Sequence, residues 1–233
     1  MQSFYVFGKN IEKNEEIKEK FIENGFTYDK TNPELIICYG GDGTFLIAER
    51  MYPSIPKILI KGSEISNKGI DMDIEKIVQK YKSKEFSIDE IKKLKAHSYS
   101  KFGEGELTGV NDIVIRNTLP TEAIRFRLKA NGKEINKELI GDGIVIATAY
   151  GSRAYFYSIT KEKFEKGIGI AFSNLTQHHD FILLEELDKI EVEITRGLAV
   201  MVADNNRNFI NLEEGDKIII EQTEQVAKRI IFW

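Results

Sequence analysis

The apolar positions in the first third of the chain alternate between short runs and a helical spacing. Short β-prone runs occupy residues 3–7, 35–39 and 57–60. Apolar side chains at helical spacing occupy residues 11–21, 45–51 and 74–81. Asn10 is placed to cap the first of these helices and Gly25 to end it. The alternation of strands and helices predicts a parallel sheet with right-handed crossovers.

Beyond about residue 85 the pattern changes to many short β-prone runs. Further strands are predicted at residues 110–115, 123–130, 144–149, 189–195, 199–202, 217–220 and 229–232. Asn131-Gly132 lies between two such runs and is typical of a type I′ hairpin turn. We therefore predict an α/β N-terminal domain with a parallel sheet over residues 1–90. A mostly β, sandwich-like C-terminal domain is predicted over residues 91–233.

Composition narrows the class of protein. The 233 residues are 42% hydrophobic and 30% charged, and the net charge of −4 argues against a general nucleic-acid binder. No stretch approaches the roughly 18 apolar residues of a membrane span. Residues 1–7 are too short an apolar run for a signal peptide, and no basic leader precedes them. We therefore expect a cytoplasmic protein that binds neither nucleic acid nor membranes.

Cysteine and histidine add no chemistry of their own. The single cysteine, Cys38, excludes an internal disulfide and any zinc site built from cysteines, and its place in an apolar run predicts a buried side chain. His178 and His179 are adjacent and cannot easily share one strand face, while His97 is isolated. We predict no metal site made of protein side chains alone.

The segment Gly40-Gly41-Asp42-Gly43-Thr44 follows an apolar strand and precedes a helix. Glycines let the backbone turn tightly and approach a ligand, and the N–H groups at a helix start favour a phosphate. A carboxylate beside a phosphate is costly unless it binds a metal or orients a hydroxyl, so Asp42 suggests phosphoryl transfer to an alcohol. A plain strand-to-helix turn with Asp42 as helix cap is an equal alternative at this point.

Two further segments suggest a nucleotide pocket. Gly141-Asp142-Gly143 precedes an apolar strand, and residues 148–155 (Thr-Ala-Tyr-Gly-Ser-Arg-Ala-Tyr) follow that strand. Tyr155 could stack on a base, and Ser152 and Ser158 could supply hydroxyl hydrogen bonds. Asn111-Asp112 carries groups that can read a purine edge and chelate a ribose diol. Each segment alone also fits an ordinary turn.

Together the three segments resemble the NAD kinases in order and spacing. The glycine-rich motif is shared with diacylglycerol, sphingosine and phosphofructokinases. Asn111-Asp112 resembles the family's Asn-Glu pair. Residues 141–155 resemble its Asp-Gly and Thr-Pro-Thr-Gly-Ser-Thr-Ala-Tyr segment, which is close to diagnostic. The resemblance implies an enzyme that phosphorylates the adenosine ribose of NAD with ATP or polyphosphate and Mg²⁺, and that associates into dimers or tetramers.

The resemblance also implies roles for individual residues. Asp42 would orient or deprotonate the 2′-hydroxyl of the ribose, and magnesium would neutralise the donor phosphates. Asn111 would contact the adenine and Asp112 a ribose, while Asp142 would lie by the nicotinamide portion and reach a neighbouring subunit's site. The phosphates would lie along the glycine-rich segment, at Gly40, Gly41, Gly43 and Thr44. The adenosine pocket would be lined by Ser152, Ala154, Tyr155 and Ser158.

The chain departs from the family pattern at several positions. Asp112 replaces the usual Glu, Ala149-Tyr150 replaces Pro-Thr, and Arg153 replaces a small residue. Residues 61–70 match the family's glycine-rich stretch poorly, and the Asp-Gly near the end of the second domain appears as Asp204-Asn205. Two other hypotheses stay open: a binding module that holds NAD or NADP without turnover, and a lipid kinase of the diacylglycerol type.

Overall fold

The computed structural model describes residues 2–62, 68–101, 103–185 and 189–233. These residues form two compact units, the first made of Met1–Ile91 with Val226–Trp233 and the second of Lys92–Gln225. The helices are α1 (Ile11–Glu23), α2 (Asp42–Met51), α3 (Ile74–Lys82) and α4 (Tyr155–Thr160), with a 3₁₀ turn at Tyr150–Arg153. None of the helices in these residues is long and apolar enough to cross a membrane.

The strands follow the chain as β1 (Ser3–Gly8), β2 (Thr27–Tyr28), β3 (Leu35–Gly40), β4 (Lys57–Lys61), β5 (Phe86–Ser100), β6 (Gly103–Gly109), β7 (Asp112–Asn117), β8 (Ile124–Ala130), β9 (Lys133–Gly141), β10 (Gly143–Thr148), β11 (Ile168–Ser173), β12 (Ile182–Leu184), β13 (Ile190–Arg196), β14 (Ala199–Ala203), β15 (Ile210–Leu212) and β16 (Lys217–Phe232). Two of these strands, β5 and β16, run from one unit into the other.

The first unit has the predicted α/β fold with a parallel sheet, but it also includes residues 226–233, which the predicted bounds assign to the C-terminal domain. Its strands lie in the order β2-β1-β3-β4 and pair in parallel, and the end of β16 continues the sheet in parallel beside β4. Helices α1 and α3 bury their apolar faces in one core with these strands. The side chain of Asn10 accepts the backbone N–H of Lys13 at 3.1 Å, so the predicted cap of α1 is confirmed.

The second unit is the predicted β sandwich. One sheet has the antiparallel order β12-β11-β10-β7-β14-β15, and the other contains β16, β13, β8 and β9. Apolar side chains from both sheets, such as Ile146 and Val192, meet in a single buried core. Asn131 and Gly132 have φ angles of +48° and +75°, which confirms the tight hairpin between β8 and β9.

One strand prediction and one helix boundary differ from the structure. Residues 217–220 and 229–232 were predicted as separate strands, but they are the two ends of the single strand β16. The residues between them are mostly polar and partly exposed, so their sequence lacks the apolar alternation that signals a strand. Helix α2 begins at Asp42, earlier than the predicted residue 45, because its first turn is the glycine-rich segment itself.

Candidate active site

In the first unit, the glycine-rich segment joins the end of β3 to the start of α2. Gly41 is the N-cap of α2, its backbone is extended, and as a glycine it supplies no capping side chain of its own. The backbone N–H of Thr44 donates to the Gly41 carbonyl at 2.8 Å and closes the first turn. Among the described residues, a Cβ placed on Gly41 would meet no atom within 4 Å, so these residues leave space beside this helix start. The positive end of the α2 dipole therefore faces a position where an anion fits.

Gly40 is a glycine for a different reason from Gly41. A Cβ on Gly40 would overlap the side-chain hydroxyl of Thr44, so the close packing of the turn leaves no room for it. The backbone N–H of Gly62 donates to the Gly40 carbonyl at 3.0 Å, and a Cβ on Gly62 would lie only 3.0 Å from the Gly40 Cα. Because neither glycine has a side chain, the backbone segments at the ends of these two adjacent parallel strands can approach each other closely.

Asp42 is the first residue of α2, with its carboxylate at the mouth of the same turn. Its Oδ1 accepts the backbone N–H of Lys68 at 3.3 Å. The carboxylate is thereby fixed at the end of the sheet, where α/β proteins bind their ligands. Residues 63–67, within the stretch that matches the family poorly, lie outside the described residues.

Cys38 precedes the glycine-rich segment in β3 and is fully buried. Burial away from water raises the pKa of its thiol to about 12. The thiol is therefore neutral and shielded in the folded protein, as the sequence predicted, and takes no part in chemistry at this site.

In the second unit, residues 110–112, called the Asn111 loop below, are held by hydrogen bonds to the end of β10. The hydroxyl of Thr148 donates to the Val110 carbonyl at 2.7 Å, and its oxygen accepts the N–H of Gly151 at 3.0 Å. The N–H of Thr148 donates to the Asn111 carbonyl at 2.9 Å. Because Asp112 and Ala147 are paired across β7 and β10, the Asn-Asp segment and residues 148–152 lie side by side.

Asn111 presents a buried hydrogen-bond acceptor without a partner among the described residues. Its side chain is only 7% exposed, and its Oδ1 has no hydrogen-bond partner among the described residues. A buried acceptor without a partner costs about 1–3 kcal/mol, so a ligand with a suitable N–H or O–H would recover that cost. Asp112, next in the chain, is 5% exposed and begins β7.

The aromatic end of the segment lies in α4. Tyr155 begins α4 and is half-buried against an apolar cluster that includes Val145 and Phe156. Ala154, partly exposed, is the N-cap of this helix, and its N–H donates to the Gly151 carbonyl at 2.8 Å. A partly exposed ring beside a small residue offers a platform on which a flat base can stack.

The two serines occupy different positions. Ser152 is 1% exposed, and its hydroxyl donates to the Phe164 carbonyl at 2.9 Å. This buried hydrogen bond stabilises the 3₁₀ turn at Tyr150–Arg153. Ser158 is exposed, and its hydroxyl donates to the Tyr155 carbonyl one helical turn earlier at 2.7 Å. Arg153, whose direction the sequence left open, is exposed.

Asp142 lies apart from these residues. It precedes β10, whereas Thr148 ends it, and at about 3.3 Å of rise per residue the two are roughly 20 Å apart along the strand. Asn174 donates its amide to Asp142 Oδ2 at 2.7 Å, and Asn117 donates to Oδ1 at 3.5 Å. The carboxylate is thus oriented by two amides at the opposite end of the sheet from Asn111.

Several residues that build the site were not among the predicted site residues. Thr148 and Gly151 lie within the recognised segment, and their role is to bind the Asn111 loop. Asn174 has a left-handed φ of +49° and orients Asp142, but nothing in its local sequence indicates this. Asp204, noted only as a departure from the family pattern, contacts the Asn111 loop.

The chain is similar in sequence to known NAD kinases. No family profile matches the chain. It is 31% identical over 164 residues to an NAD kinase of Methanosphaera stadtmanae and 29% identical over 165 residues to NAD kinase 1 of Oceanobacillus iheyensis. Each alignment covers 66% of this chain but only 58% and 61% of those relatives, so the chain spans about three fifths of their length.

Solved structures extend the similarity over the whole chain. A yeast NADH kinase complexed with NADH matches with a TM-score of 0.89 at 15% identity, covering 100% of this chain and 84% of that one. An NAD kinase from Archaeoglobus fulgidus in complex with ATP matches with a TM-score of 0.81 at 20% identity, covering 100% and 94%. At such identities the structures establish a shared fold. Sequence similarity over two thirds of the chain and a shared fold over all of it confirm its resemblance to the NAD kinase family.

Proposed function

We propose that the protein phosphorylates the 2′-hydroxyl of the adenosine ribose of NAD, giving NADP, with ATP or polyphosphate as donor. The observation that carries the proposal is the buried, unpartnered Oδ1 of Asn111, set in a loop fixed beside the Tyr155 turn. The sequence relatives are NAD kinases, which supports NAD as the nucleotide.

The adenosine end of NAD is assigned to the second unit. The exocyclic amine of adenine is an N–H donor that Asn111 Oδ1 can accept, and the partly exposed Tyr155 ring can stack on the base. Asp112 follows directly and can accept a ribose hydroxyl. Ala154 leaves room beside the ring, and Ser158 offers an exposed hydroxyl. Ser152 contributes by holding the turn, because its hydroxyl is buried and donates to Phe164.

The phosphates and the reacting hydroxyl are assigned to the start of α2. Gly40, Gly41, Gly43 and Thr44 form the turn in which backbone N–H groups and the helix dipole favour phosphate. The ribose 2′-oxygen attacks the terminal phosphorus of the donor, the bond from that phosphorus to the bridging oxygen breaks to release ADP or the shortened polyphosphate, and Asp42 accepts or steers the hydroxyl proton. Because such transition states are usually loose, Asp42 contributes mainly by alignment.

Magnesium fits this arrangement as an ion carried by the donor. Magnesium in phosphoryl-transfer sites usually binds one or two carboxylates together with substrate phosphates, and Asp42 lies at the phosphate turn. The described residues contain no cluster of three or more acidic, histidine or cysteine side chains that would hold the ion alone. When bound, magnesium neutralises charge on the donor phosphates.

Self-association completes the proposal. Asp142 is oriented by Asn174 and Asn117 at the opposite end of β10 from Asn111, which fits a role at the nicotinamide end of NAD in a neighbouring subunit's site. If so, Asp42→Asn and Asp142→Asn proteins, each inactive alone, will regain part of the activity when their subunits are mixed. No recovery after subunit exchange would place Asp142 outside the neighbour's site.

The test is NADP formation from NAD, ATP and Mg²⁺ by the purified protein, followed with an NADP-specific dehydrogenase, and repeated with polyphosphate. We expect turnover with at least one donor. Folded protein that binds NAD in calorimetry but forms no NADP with either donor would favour the non-catalytic binding module instead. Protein that binds neither NAD nor NADP would contradict both.

A further inference from the structure

Three consecutive backbone N–H groups in the Asn111 loop converge on one carboxylate. Asp204 Oδ1 accepts the N–H of Asn111 at 2.7 Å and that of Asp112 at 3.2 Å. Its Oδ2 accepts the N–H of Val110 at 2.9 Å. Since hydrogen bonds to a carboxylate are stronger than those to a neutral acceptor, this side chain dictates the backbone conformation of the loop.

Asp204 is itself firmly anchored. It directly follows β14, where Ala203 pairs with Ile113 of β7. Its backbone N–H donates to the Asp112 carbonyl at 3.1 Å. Its φ of +50° lies in the left-handed region, which Asp tolerates better than most residues. The backbone of Asp204 is therefore fixed by the sheet, and this fixes the position of its carboxylate beside the Asn111 loop.

Close packing against two glycines also restricts the position of the Asn111 loop. Gly151 lies against the Asn111 carbonyl so closely that no side chain fits there. A Cβ on Gly109 would lie 2.5 Å from the Asp112 carbonyl oxygen and 3.3 Å from Asp204 Oδ1. The loop is clamped between Gly151 on one side and Asp204 on the other.

From these contacts we propose that Asp204 is a positioning residue of the nucleotide site, which orients Asn111 and Asp112 for the adenosine portion of NAD. The inference rests on the proposed function and adds to it a residue that touches no substrate. Asp204 acts through the loop, so removing its charge misaligns Asn111 Oδ1 and Asp112 without altering the phosphate turn at the start of α2.

Asp204→Asn is the informative variant. An amide can keep one acceptor oxygen for two of the N–H groups but turns an N–H₂ towards the third, whereas Asp204→Ala loses all three bonds. Asp216→Asn is the matched control: Asp216 is also buried and accepts a backbone N–H, that of Glu213 at 2.9 Å, but in the turn that leads into β16.

The experiment measures NAD affinity by calorimetry, KM for NAD and for ATP, and thermal unfolding. We expect Asp204→Asn to raise Kd and KM for NAD about tenfold with KM for ATP unchanged, and Asp204→Ala to raise them further. Asp216→Asn should lower stability without changing NAD affinity. In a double-mutant cycle, Asp204→Asn should add little to the loss caused by Asn111→Leu combined with Asp112→Ala, because Asp204 acts through these two side chains.

Each outcome decides a separate point. Wild-type turnover with unchanged NAD affinity in folded Asp204→Asn would overturn the inference and leave the proposed function intact. Additive losses in the cycle would also overturn it, because they would show an effect that bypasses both Asn111 and Asp112. If Asp204→Asn does not fold, Gly109→Ala perturbs the same clamp, and unchanged NAD affinity in that variant would count against the inference. A wild type without turnover contradicts the proposed enzyme, while the NAD affinities still test Asp204.

Discussion

Gly151 packs against the backbone carbonyl of Asn111 with no space between them for a methyl group. The same Asn111 carbonyl accepts the N–H of Thr148 at 2.9 Å. The segment that carries Tyr155 and the segment that carries Asn111 are therefore one rigid piece, although they are far apart in sequence. A nucleotide that contacts both meets a preformed surface, which limits the entropy lost on binding.

Gly151→Ala tests this rigidity. The new methyl group must displace the Asn111 carbonyl, so we expect the free energy of unfolding to fall by about 1–3 kcal/mol and NAD affinity to fall with it. Chemical denaturation and calorimetry measure the two effects. Wild-type affinity in the variant would mean that the position of Asn111 does not matter for binding.

Asn111→Leu separates a binding role from a structural one. Because it removes a buried acceptor without a partner, we expect unfolding free energy to stay level or rise by about 1 kcal/mol, while Kd for NAD rises about tenfold. Asn117→Leu is the contrast, since the Asn117 amide donates to the Leu119 and Glu122 carbonyls at 3.0 and 2.9 Å. That variant should lose stability. Equal destabilisation of both would argue that Asn111 only supports the fold.

Gly41→Ala and Gly40→Ala should separate the two functions of the glycine-rich turn. Space beside Gly41 is open, so Gly41→Ala should fold normally but raise KM for ATP, because the methyl group occupies the position assigned to phosphate. Gly40→Ala should lower the thermal unfolding temperature, because its Cβ overlaps Thr44. A Gly41→Ala enzyme with unchanged KM for ATP would show that the donor binds elsewhere.

Lys57, at the start of β4, and Glu49, in the second half of α2, form a buried ion pair. Lys57 Nζ lies 2.5 Å from Glu49 Oε2 and also donates to the carbonyls of Tyr52 and Ile55, both at 2.7 Å. Lys57→Met leaves an uncompensated buried carboxylate, so we expect a loss of about 3–5 kcal/mol in unfolding free energy. Adding Glu49→Leu to Lys57→Met should restore much of the lost unfolding free energy, which urea denaturation measures. A larger loss in the double variant would contradict this reading.

The buried thiol of Cys38 predicts a pH dependence. Its pKa is about 12 in the folded protein because burial disfavours the thiolate, but is near 8.5 in an unfolded chain. The contribution of the buried thiol to stability is complete at pH values below its pKa in the unfolded chain. It is lost as the pH rises from there towards 12, by about 1.4 kcal/mol per pH unit. Unfolding free energy measured from pH 8 to 10 should therefore fall more steeply in wild type than in Cys38→Ala. Equal pH dependence of the unfolding free energy in the two proteins would contradict this prediction.

Local chemistry made part of the fold predictable. Asn10 caps α1, and Asn131-Gly132 turns the hairpin, because each acts on backbone within a few residues. The long contacts could not be predicted in this way. Asp204 reaches the loop at Val110 across 94 residues, and nothing near Asp204 in sequence identifies its partner. Ser152 looked like a pocket hydroxyl, but only the fold brings the Phe164 carbonyl to it.

If Asp42 lies at the reacting hydroxyl of NAD, as we propose, turnover depends on its carboxylate. The most direct measurement is the rate of NADP formation from NAD and ATP by wild type, Asp42→Asn and Asp71→Asn, the last an exposed aspartate of the same unit. We expect turnover in wild type and Asp71→Asn and a loss of at least about 100-fold in kcat for Asp42→Asn, with NAD still bound. Wild-type turnover in Asp42→Asn would contradict it.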